Sequence, residues 1–158
     1  MRGNHPELTK LVHDNLWIVI SFVFARPRID KVMAARIKGT WLPLDKNVRE
    51  MAEVRADRAL LEMATQLRAL DDRFKLAEWQ KTREHPWPLG EVTQKNGEVE
   101  ALWFRDFTNK VLHAASYEWD LSKDEDPKII VHPIDGERWA RAEVNVIALM
   151  MFVGELSF

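Results

Sequence analysis

The sequence predicts an all-α fold, an up-and-down helical bundle of about four to five helices with one or two short β-hairpins. Two observations predict it. Apolar residues recur at steps of three and four over most of the chain, the spacing of amphipathic helices. The only β-type patterns are two short segments set around turn residues, which read as hairpins rather than as a sheet.

Pro6 suits a first helical position, and the spacing of Leu8, Leu11, Val12, Leu16, Val19, Phe22 and Val23 predicts a helix from there to Phe24. Its second half, Leu16 to Ala25, is apolar on every side, which predicts a central place in the bundle. That run covers about half of what a bilayer core requires. Acidic Glu7 and Asp14 precede it and Arg26-Pro27 follows, so the pattern fits neither a membrane span nor a leader. Pro27 predicts the end of the helix. Asp30 is the expected cap of a short helix through Lys38, closed by Gly39. Asn47 with Glu50 three residues on is a capping-box pattern, and Ala52, Ala56, Leu60, Met63, Leu67, Leu70 and Phe74 carry the expected helix to about Arg73. His85-Pro86-Trp87-Pro88 stops it. Asn96-Gly97 centres a small hairpin or an ordered loop. A helix is expected from Val99 or Glu100 to Ala115. Tyr117–Leu121 and Lys128–His132 flank an acidic turn as a second hairpin. A last helix is expected from Glu137 to about Gly154, with Trp139, Ala142, Val146, Leu149 and Met150 on its core face.

No linker or repeat divides the 158 residues, so residues 1–158 are expected to form one domain. Hydrophobic residues make up 46% and charged residues 30%, and the net charge is −2. No global basic field exists, so any nucleic-acid contact must come from a local patch. The densest basic run is Arg26, Arg28, Lys31, Arg36 and Lys38. The absence of cysteine excludes disulfides, thiolate metal sites and thiol nucleophiles. His13, Asp14, His113 and His132 show no metal-ligand spacing, so neither metal nor cofactor is expected. Gly-rich phosphate loops and nucleophile elbows are missing. Of the tryptophans, Trp17, Trp103 and Trp139 are expected in the core. Trp41, Trp79, Trp87 and Trp119 fall near loops or helix ends.

The chemistry-bearing stretch is Arg105-Asp106-Phe107-Thr108-Asn109-Lys110-Val111-Leu112-His113. Arg105, Asn109 and His113 stand at i, i+4 and i+8. On a helix they form one slanted stripe, drifting about 40° per step. A near-neutral His can move protons and an Arg can hold a phosphate. Without such a ligand, the same stripe can bond neighbouring backbone and pair with an acidic residue.

Asn109-Lys-Val-Leu-His113 resembles the end of the HEPN superfamily motif, and the segment RALLEMATQLRALDD before it resembles that family's long helix. The resemblance spans about residues 47–158. It implies a HEPN-like helical homodimer, and many members are metal-independent ribonucleases. With His113 on the family's His, Thr108 stands where an active member carries Arg, and Arg105 lies one turn earlier.

The expectation is therefore a cytoplasmic, HEPN-like protein, RNA-associated or a degenerate metal-independent endoribonuclease. Its site residues would be Arg105, Asn109 and His113, with Arg26, Arg28, Lys31, Arg36, Lys38 and Lys110 touching nucleic acid. The expected partners are a second copy and an RNA or a protein, with no membrane. The alternative is a non-enzymatic homodimeric protein-interaction module.

Overall fold

The computed structural model describes residues 6–156. Two long helices open the chain, α1 (Pro6–Arg36) and α2 (Leu42–Phe74), joined by a 3-10 turn at Gly39–Trp41. They form an antiparallel hairpin. Asn15 meets Gln66, Arg26 meets Glu53 and Asp30 meets Arg49, so partners fall along one helix as they rise along the other. At 1.5 Å per residue each helix is roughly 45–50 Å long.

After the short α3 (Leu76–Lys81), the chain builds β1 (Gly90–Gln94) and β2 (Val99–Leu102), then α4 (Phe104–Leu112). It continues through β3 (Ala114–Asp120), β4 (Lys128–Pro133), β5 (Trp139–Asn145) and α5 (Val146–Gly154). The strands form one five-stranded sheet in the order β2-β1-β5-β4-β3, with every neighbour antiparallel. The fold is mixed α/β. This corrects the expected all-α helical bundle.

The two hairpins lie where turn residues place them, as β1–β2 and β3–β4. What the helical reading misses is β5, which pairs with both β1 and β4 and so joins the hairpins into one sheet. Trp139, Ala142, Val146 and Leu149 are all buried, as the helical spacing requires. However, Ala142, Val144 and Val146 also alternate, the strand period. The helical period takes in Trp139, Ala142 and Val146, the strand period Ala142, Val144 and Val146, with a register shift opposite Thr93/Gln94 bringing Trp139 inward, and long-range pairing selects the strand. The expected helix from Val99 is likewise shortened, because Val99–Leu102 forms edge strand β2.

One sheet face is apolar and packed. Val92, Ala142 and Val131 are register neighbours and all are buried. Gly90 sits so close to β5 that any Cβ would collide with the carbonyl of Glu143. Leu60, Met63, Leu67 and Leu70 of α2, Phe104 and Phe107 of α4, and Leu149 and Phe152 of α5 complete the core. The Phe104 and Phe152 rings stack with centroids 4.8 Å apart.

Three expectations for the helical hairpin are also corrected. Pro27 does not end α1 but lies inside it, where Arg26–Asp30 and Arg49–Asp30 pairs hold the following turn against α2. Asn47 is not a cap. Helix α2 starts at Leu42 with Pro43 in its first turn, and buried Asp45 receives Arg49 at 2.6 Å. The apolar second half of α1 is not central. Trp17 is 68% exposed, and Ile18 and Phe24 are exposed with it. From Phe24 to Arg55, Asp45 alone is buried, so the far end of the hairpin is largely exposed to solvent. Among the described residues α1 is the helix long and apolar enough to cross a bilayer by length and composition, and 33% of its most apolar window is buried.

Candidate functional site

Helix α4 carries the predicted stripe. Its amphipathicity places Phe104, Phe107 and Val111 in the core. Thr108 is also fully buried and donates its Oγ1 hydrogen to the carbonyl of Arg105 at 3.0 Å. The position at which the HEPN motif has Arg is thus a packing position here.

Arg105 and Asn109 face α2 rather than open solvent. Arg105 pairs with Asp71, which is nearly fully buried, and with Asp72 at 3.3 Å. The hydrogen bond to Asp71 is the first cause of a raised Arg105 pKa, so the guanidinium is held charged. Asn109 accepts a hydrogen bond from Arg68 of α2 at 2.7 Å. Asp71 also accepts the backbone N–H of Ala77 at 2.8 Å, which ties the start of α3 to the same seam. His113 terminates α4 as its C-cap residue, exposed and one residue before β3. The sequence brings Arg105 and Asn109 together but separates them from His113 by the end of the helix. With Arg105 neutralised by two carboxylates, the seam reads as a helix–helix joint. It lends no support to the RNA-binding and ribonuclease descriptions.

The seam needs residues that sequence spacing does not flag. Gln80 is 2% exposed. Its Oε1 accepts the N–H of Phe104 at 3.0 Å and its Nε2 donates to the carbonyl of Trp87 at 2.9 Å. Trp103, the N-cap of α4, contributes no side-chain cap bond, so Gln80 caps the helix from a distance. Arg83 lies over the rings of Trp79 and Trp87 and pairs with Glu155. No local pattern in the sequence marks the distant contacts, Gln80 with Phe104 and Arg83 with Glu155.

The predicted nucleic-acid residues divide in two. Arg26 is held by Asp30 at 2.9 Å and Glu53 at 3.5 Å. Lys110 lies 4.6 Å from the centroid of Trp139. Arg28, Lys31, Arg36 and Lys38 are exposed on the last turns of α1 and beyond it.

Several further concavities exist, and two of them adjoin these elements. The largest, about 870 Å³, is an open groove that includes Trp87, Glu91, Glu100, Lys128 and Glu143. Glu91 and Glu143 are cross-strand neighbours, and Lys128 pairs with Glu143 at 3.3 Å. None of Arg105, Asn109 and His113 lines it. A second, between α1 and β3, is lined by Phe22, Arg26, Tyr117 and Trp119. Beside it Asp57 accepts the indole N–H of Trp119 at 2.8 Å. Burial raises the Asp57 pKa more than that bond lowers it. Burial, aided by the charge of Asp57, pushes Tyr117 up to about 12, and its hydroxyl donates to the carbonyl of Val111. Among the described residues no group of three or more His, Cys, Asp or Glu side chains is placed to hold a metal ion. No protein-family model, no curated protein and no solved structure matches this chain.

Proposed function

We propose that this protein is a non-enzymatic, self-associating interaction module whose contact surface is the α1–α2 hairpin. The observation that carries the reading is the pattern of exposed apolar side chains. Among the large ones, all but Val99, Ile134 and Met151 lie on α1, α2 or the turn between them. On α2, Leu44, Met51, Val54 and Leu61 are exposed at steps of seven, three and seven. On α1, Leu11, Ile18 and Val32 share one exposed line with Ala25 and Ile29. Heptad spacing is what a second helix seats against.

The area is sufficient for a second copy. Partly exposed side chains of this size offer on the order of 100 Å² each, so together they present on the order of 1,000 Å², against about 800 Å² per partner in a standard interface. An isolated monomer seldom exposes more than a few hundred Å² of apolar surface in one patch. The chemistry of α4 supports the same reading, because Arg105 and Asn109 are occupied in joining α4 to α2.

Sedimentation velocity tests this. The natural chain should be a dimer at tens of micromolar, and Met51→Glu with Val54→Glu should yield a folded monomer. Both positions are exposed, so the fold has no reason to fail. A natural chain that stays monomeric at those concentrations, or a double variant that still dimerises, overturns the proposal.

A further inference from the structure

The far end of the hairpin carries a charge imbalance created by its own ion pairs. Asp30 and Asp45 are matched by Arg26 and Arg49, Glu50 by Lys46, and Glu53 by Arg26. Arg28, Lys31, Arg36, Lys38 and Arg55 are exposed and have no carboxylate partner among the described residues. A chain with a net charge of −2 therefore presents a concentrated positive end.

This end is also apolar. Trp41 is 62% exposed and Leu42 is 54% exposed at the turn, and Ile29, Val32 and Leu44 are exposed around it. Arg28 and Lys31 line, together with Lys123, a crevice of about 300 Å³ whose apolar lining is Val23, Phe24, Pro27 and Leu121. Asp124 is the single carboxylate lining it.

We propose that the end of the α1–α2 hairpin docks on an anionic phospholipid surface. The phosphate groups meet Arg28, Lys31, Arg36, Lys38 and Lys123, while Trp41 and Leu42 enter the headgroup layer. Two properties favour lipid over nucleic acid as the occupant. The side chains among the cations are largely aliphatic and gain from entry into the acyl boundary, where a phosphate backbone offers them nothing. Lys and Arg stems lie along that boundary while their charged heads stay in water, and Trp prefers the interface between them. Trp41, Leu42, Ile29, Val32 and Leu44 also belong to the hairpin surface proposed above for self-association, whereas the unmatched cations do not, so the cation variants test lipid docking separately from it.

Vesicle co-sedimentation of the full chain tests it. The natural protein should pellet with phosphatidylcholine–phosphatidylserine vesicles, stay soluble with phosphatidylcholine alone, and be released by high salt. Arg28→Gln, Lys31→Gln and Lys123→Gln should each lower partitioning by about fivefold, and Trp41→Ser should weaken it at every salt concentration. These positions are exposed, and circular dichroism confirms that each variant is folded. Equal pelleting with both vesicle types, or undiminished binding by the triple Gln variant, overturns the proposal. So does salt-sensitive retention of a short single-stranded RNA without vesicle binding, which would make nucleic acid the occupant. Conversion of the triple variant from dimer to monomer without vesicles would also overturn it, by assigning these cations to contact between copies.

Discussion

Replacing Gln80 should break the joint that positions α4, and the size of the loss follows from what it leaves behind. Gln80 is 2% exposed and serves two backbone groups, the N–H of Phe104 and the carbonyl of Trp87. Gln80→Leu keeps the approximate volume and removes both bonds. Phe104 is fully buried, and an unmade bond at a buried donor costs about 1–3 kcal/mol. Trp87 is only partly buried, so water can restore much of its bond and the second loss is smaller, about 0.5–1 kcal/mol. The expected cost is about 1.5–4 kcal/mol. Gln80→Glu is the informative companion. A carboxylate still accepts from Phe104 at the positive end of α4, but it is buried, and only its protonated form can donate to Trp87. Its deficit against the natural chain should therefore shrink as pH falls. Urea unfolding followed by far-ultraviolet circular dichroism measures both. A Leu variant within about 0.5 kcal/mol of the natural protein would show that another group caps α4 and would refute the reasoning.

Leu67→Ala should cost about 2–5 kcal/mol because Leu67 is fully buried in the core. Asn47→Ala, on the exposed surface inside α2, should stay within about 0.5 kcal/mol; urea midpoints that rank these two the other way would refute the packing described. Thr108→Arg places a charge at a fully buried position and should abolish cooperative unfolding or cost several kcal/mol, while showing no gain of ribonuclease activity against labelled RNA in EDTA. Burial raises the Asp57 pKa, so the stability its protonated form contributes is fully present below the unfolded pKa and is lost as pH rises through the folded value. Asp57→Asn, which keeps an acceptor for Trp119, should therefore be relatively more stable at neutral pH than at acidic pH, as measured by the difference in unfolding free energy across that range.

The sequence by itself determines much of the local structure. The run from Ala56 to Leu70 marks the buried face of α2, Asn96-Gly97 marks the β1–β2 turn, and the acidic turn before Pro127 separates β3 from β4. These features depend on neighbours a few residues apart, so periodicity and turn chemistry expose them. Arg105 and Asn109 are legible as a pair one helical turn apart for the same reason. What their side chains do is not legible, because Asp71, Asp72 and Arg68 lie more than thirty residues away in the chain. Only tertiary structure decides that β5 is a strand. Trp139, Ala142 and Val146 follow the helical period and Ala142, Val144 and Val146 the extended one, and hydrogen bonds from β1 and β4 supply the difference. The same holds for the apolar half of α1. Composition suggested a central helix, but α2, α5 and β3 cover only one side of it, and Trp17, Ile18 and Phe24 remain in solvent. Hydrophobicity states which side chains gain from burial. Which of them are buried within one chain, and which stay exposed for another surface to cover, is set by where the remaining elements pack.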